Sequence, residues 1–237
     1  MPASELPSAE ELDANYGSLT SQDLVTALTR GAFRGRIALI TSFGAESALL
    51  LDLVARAEPA TPVIFLETGK HFAETLHYRD LAIGRFGLTD VRQIRPDPQM
   101  LAAIDPGGNL WQSNPDACCR LRKVVPLREV LQPFEVILTG RKRVHGGERA
   151  EVPLFEAFDG RIRVNPLACW SQTAIEERME TAALPRHPLA EQGYTSIGCR
   201  HCTRQPEEGA GLRSGRWVDS AKSECGIHLP SSLGRGC

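Results

Sequence analysis

No apolar run in this sequence approaches the eighteen residues of a membrane span, so a transmembrane helix is not expected. The start, Met1-Pro2-Ala3-Ser4-Glu5, lacks the basic and apolar regions of a secretory signal, which points to a cytoplasmic protein. Neither half carries a long basic run and the formal net charge is only −2, so nothing asks for nucleic acid or an anionic membrane surface. Gly-Lys-Ser/Thr is absent, which removes a Walker A loop, and Gly-x-Gly-x-x-Gly is absent, which removes support for a dinucleotide site. Internal repeats and low-complexity tracts are missing as well.

What is present suits one domain, or a domain with an appendage: 237 residues, 42% of them hydrophobic, suffice for a real core. Seven cysteines, an odd number in a chain without an export signal, point to metal binding or catalysis rather than to a disulfide framework.

Hydrophobic patterning divides the chain. Residues 1–29 hold five carboxylates and no Lys or Arg, and a flexible stretch over 1–20 leads into a helix from about Ser21 with Leu24, Val25 and Leu28 on its apolar face. Residues 36–41 read as a buried strand, and Ser42-Phe43-Gly44-Ala45-Glu46-Ser47 turns into a helix carrying Leu49, Leu50, Leu53 and Val54. The unit recurs as strand 63–66, loop 67–70, a helix over about 72–86 and strand 90–95. The Pro/Gly-rich stretch 96–116 predicts irregular structure. A helix from Ala117, bent or broken at Pro126, leads to strand 134–139 and the basic loop 140–143. Strand 161–164 and a helix over about 173–182 follow, with mostly loop beyond Leu184.

Alternating strands and helices imply an α/β fold, a parallel sheet with helices on both faces. The core is expected over 21–198, followed by a loop-rich segment over 199–237. Ligands of such sheets sit beyond the carboxyl ends of the strands, so the loops at Ser42, Thr68 and Gly140 should share one crevice.

Cys118 and Cys119 stand side by side, and Cys199-x-x-Cys202 follows about eighty residues on. Four thiolates suit zinc or an iron–sulfur cluster, because soft sulfur selects both over hard cations. Neighbouring Cα atoms are only about 3.8 Å apart and their side chains diverge by ~100° on a helix, so adjacent thiols fit poorly around one small tetrahedral ion. A cube with an iron at each of four corners separates its ligands more widely, which favours one [4Fe-4S] cluster over zinc. Four unrelated buried thiols are the plain alternative, since free cysteine also serves as a small core residue.

Ser42 to Ser47 combines small residues, a glycine and a helix N-terminus, a setting in which backbone N–H groups bind an anion. Arg141, Lys142, Arg143 and Arg149 on one loop, and Arg213 with Arg216 on another, are candidate clamps for an anionic substrate. Near the end, Lys222-Ser223-Glu224-Cys225-Gly226-Ile227-His228 sets a thiol between cations. Lys222 or His228 would stabilise a thiolate and make Cys225 a nucleophile, while Glu224 would oppose that. His71, His77, His145, His187 and His201 read as structural or solvated, Cys169 as core packing and Cys237 as a spectator.

Together these stretches, over roughly residues 36–228, resemble the adenylyl-sulfate reductase family, assimilatory enzymes that reduce adenosine 5′-phosphosulfate (APS) to sulfite and AMP. The most specific elements are the cysteine quartet and Glu224-Cys225-Gly226-Ile227-His228, similar to the family's Glu-Cys-Gly-Leu-His ending. Ser42-Phe43-Gly44-Ala45-Glu46, Leu66-Glu67-Thr68-Gly69, Asn165-Pro166-Leu167 and Gly215-Arg216-Trp217 add to it.

The resemblance implies an adenine-nucleotide α-hydrolase-like, Rossmann-like fold. Its nucleotide loop would be Ser42, Phe43, Gly44, Ala45 and Glu46, with Thr68, Gly140 and Arg143 alongside. It further implies that Cys225 attacks the sulfur of APS, expels AMP and becomes a cysteine S-sulfonate, from which thioredoxin or a glutaredoxin-like donor releases sulfite. Lys123 matches a family lysine between cluster and substrate, Arg213 and Arg216 match arginines on the phosphosulfate, and His228 is carried over as a substrate contact. One [4Fe-4S] cluster on Cys118, Cys119, Cys199 and Cys202 is implied, with an electrostatic and structural role, and a homo-oligomer is compatible with the chain.

One departure stands out. Where the family reads Gly-x-Arg-Arg-Asp/Glu-Gln-Ser and then Arg after two residues, this chain has Gly140-Arg141-Lys142-Arg143-Val144-His145-Gly146 and then Arg149. Three other readings compete. A reductase for the 3′-phosphorylated substrate (PAPS) generally lacks the four cysteines, and a cluster-bearing sulfur transferase that adenylates RNA would want Ser-Gly-Gly-x-Asp-Ser after the first strand. A zinc-stapled binding module without catalysis is the third.

Overall fold

Short aliphatic runs build the centre of the molecule, whose computed structural model describes residues 6–220 and 222–229. Six strands, β1 (Ile37–Thr41), β2 (Val63–Leu66), β3 (Val91–Ile94), β4 (Val136–Thr139), β5 (Phe155–Phe158) and β6 (Arg161–Val164), form one sheet in the order β3-β2-β1-β4-β6-β5. Every neighbouring pair is parallel except β5 with β6; Leu39 of β1 lies level with Val63 of β2 and Leu138 of β4. Strand side chains alternate faces, and the core obeys this. Ile37, Leu39, Val63, Phe65, Val136 and Leu138 join one hydrophobic cluster, whereas Ala38, Ile64, Leu66 and Ile137 join the other.

The helices divide the same way. The first cluster takes buried residues from α1 (Ala9–Tyr16), α2 (Ser21–Thr26), α3 (Ser47–Ala57), α4 (Ala73–Phe86) and α9 (Gln172–Thr181). Before α9 the chain also forms α5 (Pro98–Ile104), α6 (Leu110–Ser113), α7 (Pro115–Cys119) and α8 (Val125–Val130), and after it α10 (Pro188–Glu191). Leu127 of α8, with Leu131 and Phe134, covers the second face. The α/β architecture with a mostly parallel sheet therefore agrees with the sequence pattern. Among the described residues no helix is long and apolar enough to cross a membrane.

Four local expectations change. Residues 9–16, within the stretch expected to be flexible, are helical: Ser8 and Glu11 form a reciprocal capping box and Leu12 is buried. The stretch 96–116 holds short helices started by side chains, with Asp97 accepting from the N–H groups of Gln99 and Met100 and Asn114 from that of Ala117. Pro126 breaks nothing. The backbone stays helical from α7 through a wide π turn at Arg120–Val124 into α8, which accommodates a ring that would clash with the carbonyl four residues back. Finally, β5 is an antiparallel edge strand joined to β6 by Asp159-Gly160, both with positive φ (50° and 75°), the conformation that Asp-Gly hairpin turns adopt. Cys169, expected in the core, is exposed, and Cys237 lies outside the described residues.

Candidate active site

The loops after β1 and β4 open onto a crevice at the carboxyl edge of the sheet, lined by residues from both. Ser42, Gly44, Ala45, Glu46 and Gly140 line it, and Lys123, Arg213, Arg216, Cys225 and His228 come to it from elsewhere in the chain.

Three residues expected here are placed otherwise. Phe43 is fully buried, with its φ at 47° and its ring edge-on to Phe65 at 5.4 Å, so only its backbone belongs to the loop. The Thr68 hydroxyl faces Cys199 Sγ at 3.3 Å in a neighbouring cavity, and Leu66 and His71 represent the β2 loop in the crevice instead. Arg143 turns away, donating from Nε to the Val152 carbonyl at 2.9 Å.

Glu46 is engaged by the altered loop itself. Lys142 Nζ lies 2.9 Å from its Oε2, His145 Nε2 stands 3.2 Å from the same oxygen, and Gln172 Nε2 donates to Oε1 at 3.2 Å. Burial alone would raise the Glu46 carboxyl; the His145 hydrogen bond and the Lys142 ammonium outweigh it and bring it down to about 2. Burial keeps His145 below its ordinary value despite Glu46, so the ring is neutral, its Nδ1 facing Arg149 Nη1 at 3.4 Å. His145 is thus a member of the site rather than a solvated residue. Its signal in the sequence is weak, because a single His two residues past the basic run Arg141-Lys142-Arg143 has many structural uses.

The C-terminal tail enters the crevice beside these groups. Arg149 grips Glu224 through Nε to Oε1 at 2.5 Å and Nη2 to Oε2 at 3.0 Å, and Arg213 Nη2 lies 3.2 Å from Oε2. On the far side of Cys225, Arg163 Nη1 donates to the His228 carbonyl at 3.3 Å and Ile227 packs on the second core cluster. Burial, reinforced by Arg149, Arg163, Arg141 and Arg213, holds the His228 ring well below its ordinary value and neutral. His228 therefore offers a hydrogen bond and no charge, and Lys222 is paired with Asp116. Lys123 and Arg213 are instead the cations that come near enough to Cys225 to interact with it electrostatically.

Arg216 is stacked 4.2 Å over the Trp217 ring and donates from Nε to the Cys202 carbonyl at 3.1 Å. Its guanidinium passes so near Gly198 that a Cβ there would lie 2.3 Å from Nη2. Any larger residue at 198 would push the guanidinium out of this place.

The four cysteines share a second, small cavity. Cys118 and Cys119 of α7, Cys199 and Cys202 line it together with Thr68, Arg122 and Lys123, while Trp111 stacks on His201 at 4.1 Å along its edge. Burial pushes Cys119 up to about 12 and Cys118 and Cys202 upward. At Cys199 burial is outweighed by the Lys123 charge and the Thr68 hydroxyl, which bring it down. Lys123 lines both cavities; burial would lower it, but the facing Cys199, Cys225 and Cys119 sulfurs hold it above its ordinary value. Arg122, bound to Asp105 at 2.6 Å and to the Thr68 carbonyl at 2.9 Å, fixes the cavity floor. Among the described residues no three His, Cys, Asp or Glu side chains gather closely enough for a single metal ion. Four cysteine sulfurs around one shared cavity fit, by their chemistry, the soft metals that an iron–sulfur group or zinc provides.

The chain is similar to known proteins along most of its length. Residues 36–205 match the phosphoadenosine phosphosulfate reductase domain. An adenosine 5′-phosphosulfate reductase of Mesorhizobium japonicum is 50% identical over 221 residues, covering 93% of this chain and 87% of that one. One of Mycobacterium tuberculosis is 43% identical over 186 residues, covering 76% and 72%. The crystal structure of a phosphoadenylyl-sulfate reductase from Candida auris in complex with phosphate superposes with a TM-score of 0.70 at 25% identity, covering 83% of this chain and 96% of that one.

Proposed function

The chain belongs to the phosphoadenosine phosphosulfate reductase domain family, and from that premise we propose that it reduces APS to sulfite and AMP, using Cys225 as nucleophile and an external dithiol as reductant. The observation that carries the proposal is the meeting of Cys225 with Lys123, Arg213 and Arg216 in the crevice that the β1 loop opens. The relatives named APS reductases, and the cysteine quartet, favour APS over its 3′-phosphorylated form.

The β1 loop, with Ser42, Gly44 and Ala45, receives the nucleotide, and Arg216 and Lys123 face the phosphosulfate. The Cys225 thiolate attacks the sulfate sulfur; the bond from sulfur to the bridging oxygen breaks and AMP departs with the electron pair. Cys225 is left as an S-sulfonate. A thiolate of thioredoxin, or of a glutaredoxin-like donor, then attacks Cys225 Sγ, sulfite leaves, and the donor's second thiol resolves the mixed disulfide, so that two electrons pass from the dithiol to sulfur. Neutral His228 is a hydrogen-bonding contact for the substrate. Cys118, Cys119, Cys199 and Cys202 would hold one [4Fe-4S] cluster, which when bound supplies charge beside Lys123 and ties α7 to the turn at Arg200–Cys202. A cytoplasmic setting, which keeps thiols reduced, agrees with this chemistry.

Sulfur-labelled APS mixed with the protein in the absence of reductant tests the reading. The label is expected on Cys225, to be lost in Cys225→Ser and to be discharged as sulfite by reduced thioredoxin. Label on another cysteine, or none, would overturn the nucleophile assignment.

A further inference from the structure

Arg149 and Arg213 are well placed for an anionic ligand, yet both are taken by the chain's own carboxylate. Arg149 holds Glu224 with two bonds at 2.5 and 3.0 Å, and Arg213 adds a third contact at 3.2 Å. A guanidinium grips a carboxylate and a tetrahedral oxyanion with the same planar fork. Glu224 is 8% exposed and is joined directly to Cys225, so whatever moves this carboxylate moves the thiol.

The surrounding charges make plain opening of the tail costly. Glu156 meets Arg141 at 2.6 Å and Arg163 at 3.4 Å, and among the described residues Glu224 is the carboxylate that answers Arg149 and Arg213. Withdrawing Glu224 with nothing in its place would strand two largely buried guanidiniums. Withdrawing it as another oxyanion arrives leaves the charge balanced.

We propose that Glu224 is a resident anion, a positioning residue that occupies the Arg149 and Arg213 pair until a sulfate- or phosphate-bearing ligand exchanges with it, releasing Cys225 from its fixed place. The exchange deepens, and rests on, the reading of this crevice as an oxyanion site. It links loading of the crevice to freedom of the nucleophile. Lys123 and Arg216 receive the ligand first, and the tail yields as Arg149 and Arg213 change partners.

Glu224→Gln, which keeps the shape and removes the charge, tests the idea with inorganic sulfate as the probe. Calorimetry of the anaerobic full-length protein is expected to show sulfate bound roughly tenfold tighter than in the wild type, because the competing charge is gone. Iodoacetamide, followed by peptide mass spectrometry, is expected to alkylate Cys225 several times faster in the ligand-free variant. Sulfate affinity equal to or weaker than wild type, in a variant with a native melting transition, overturns the proposal whatever the alkylation rate. If that variant fails to fold, Glu224→Asp, one methylene too short to span both arginines, is read by the same two outcomes. Tighter sulfate binding without sulfite from APS would sink the proposed reaction and leave the exchange standing; sulfite with unaltered sulfate affinity would do the reverse.

Discussion

Replacing Gly198 by alanine separates the chemical role of Arg216 from its structural one. The added Cβ would stand 2.3 Å from Nη2, 2.7 Å from Cζ and 3.0 Å from Nη1 of Arg216, so the guanidinium must retreat by about 1 Å to reach ordinary contact. It sits at the end of a flexible side chain, and the retreat weakens two contacts: the stack on Trp217 at 4.2 Å and the bond to the Cys202 carbonyl at 3.1 Å. Those are worth about 1–2 kcal/mol together, a fall in Tm of roughly 2–8 °C for a chain of this size. Catalysis should suffer more, because displacing a substrate-positioning cation by about 1 Å costs roughly 100-fold. Stopped sulfite assays with APS would give kcat/KM, and scanning calorimetry would give Tm. Gly215→Ala is the control: its Cβ would meet the Arg204 backbone oxygen at 2.1 Å, which cannot swing aside. That variant should lose more stability than Gly198→Ala. A Gly198→Ala protein with kcat/KM within about twofold of wild type would refute the placement of Arg216 on the phosphosulfate.

Glu46→Gln strands Lys142, which is only 3% exposed, and should cost about 3 kcal/mol near neutral pH in urea unfolding. The folded carboxyl lies below its ordinary 4.5, at about 2. The wild-type advantage is therefore present above 4.5 and drains away as pH falls toward 2, so the two midpoints should converge over that window; a gap independent of pH would refute it. Asp105→Asn leaves Arg122 buried without its partner at 2.6 Å and should lower stability by about 3 kcal/mol, measured by the same unfolding assay. Protein purified without oxygen should be brown and carry about four irons per chain by colorimetric assay. Chelation should bleach it and lower its Tm, and a colourless, iron-free protein of full activity would dismiss the cluster.

The buried strands are legible in the sequence because β1, β2 and β4 are short aliphatic runs that end in small or polar residues, and α3 carries its apolar face through Leu49, Leu50, Leu53 and Val54. Where burial fails, so does the signal. Helix α5 buries none of its residues, so only its cap at Asp97 marks it. Gly140 and Ser42 reach the crevice because each directly follows a central strand, while Thr68, one residue further past β2, faces the cysteines. The cysteine quartet is readable from residue types alone. The pairing of Arg149 with Glu224 is not, since it joins residues 75 positions apart through folding of the whole chain.

The wide turn over residues 120–124 makes the spacing between Cys119 and Pro126 a ruler. The turn takes up one residue more than an ordinary α turn, so removing one there would close it to α geometry and leave Leu127 on the sheet and the thiols of α7 towards Cys199 and Cys202. Removing two would rotate everything before the turn by ~100° relative to α8 and swing those thiols away. The count of residues here is therefore as much a part of the site as their identity, with a single deletion tolerated better than a double one.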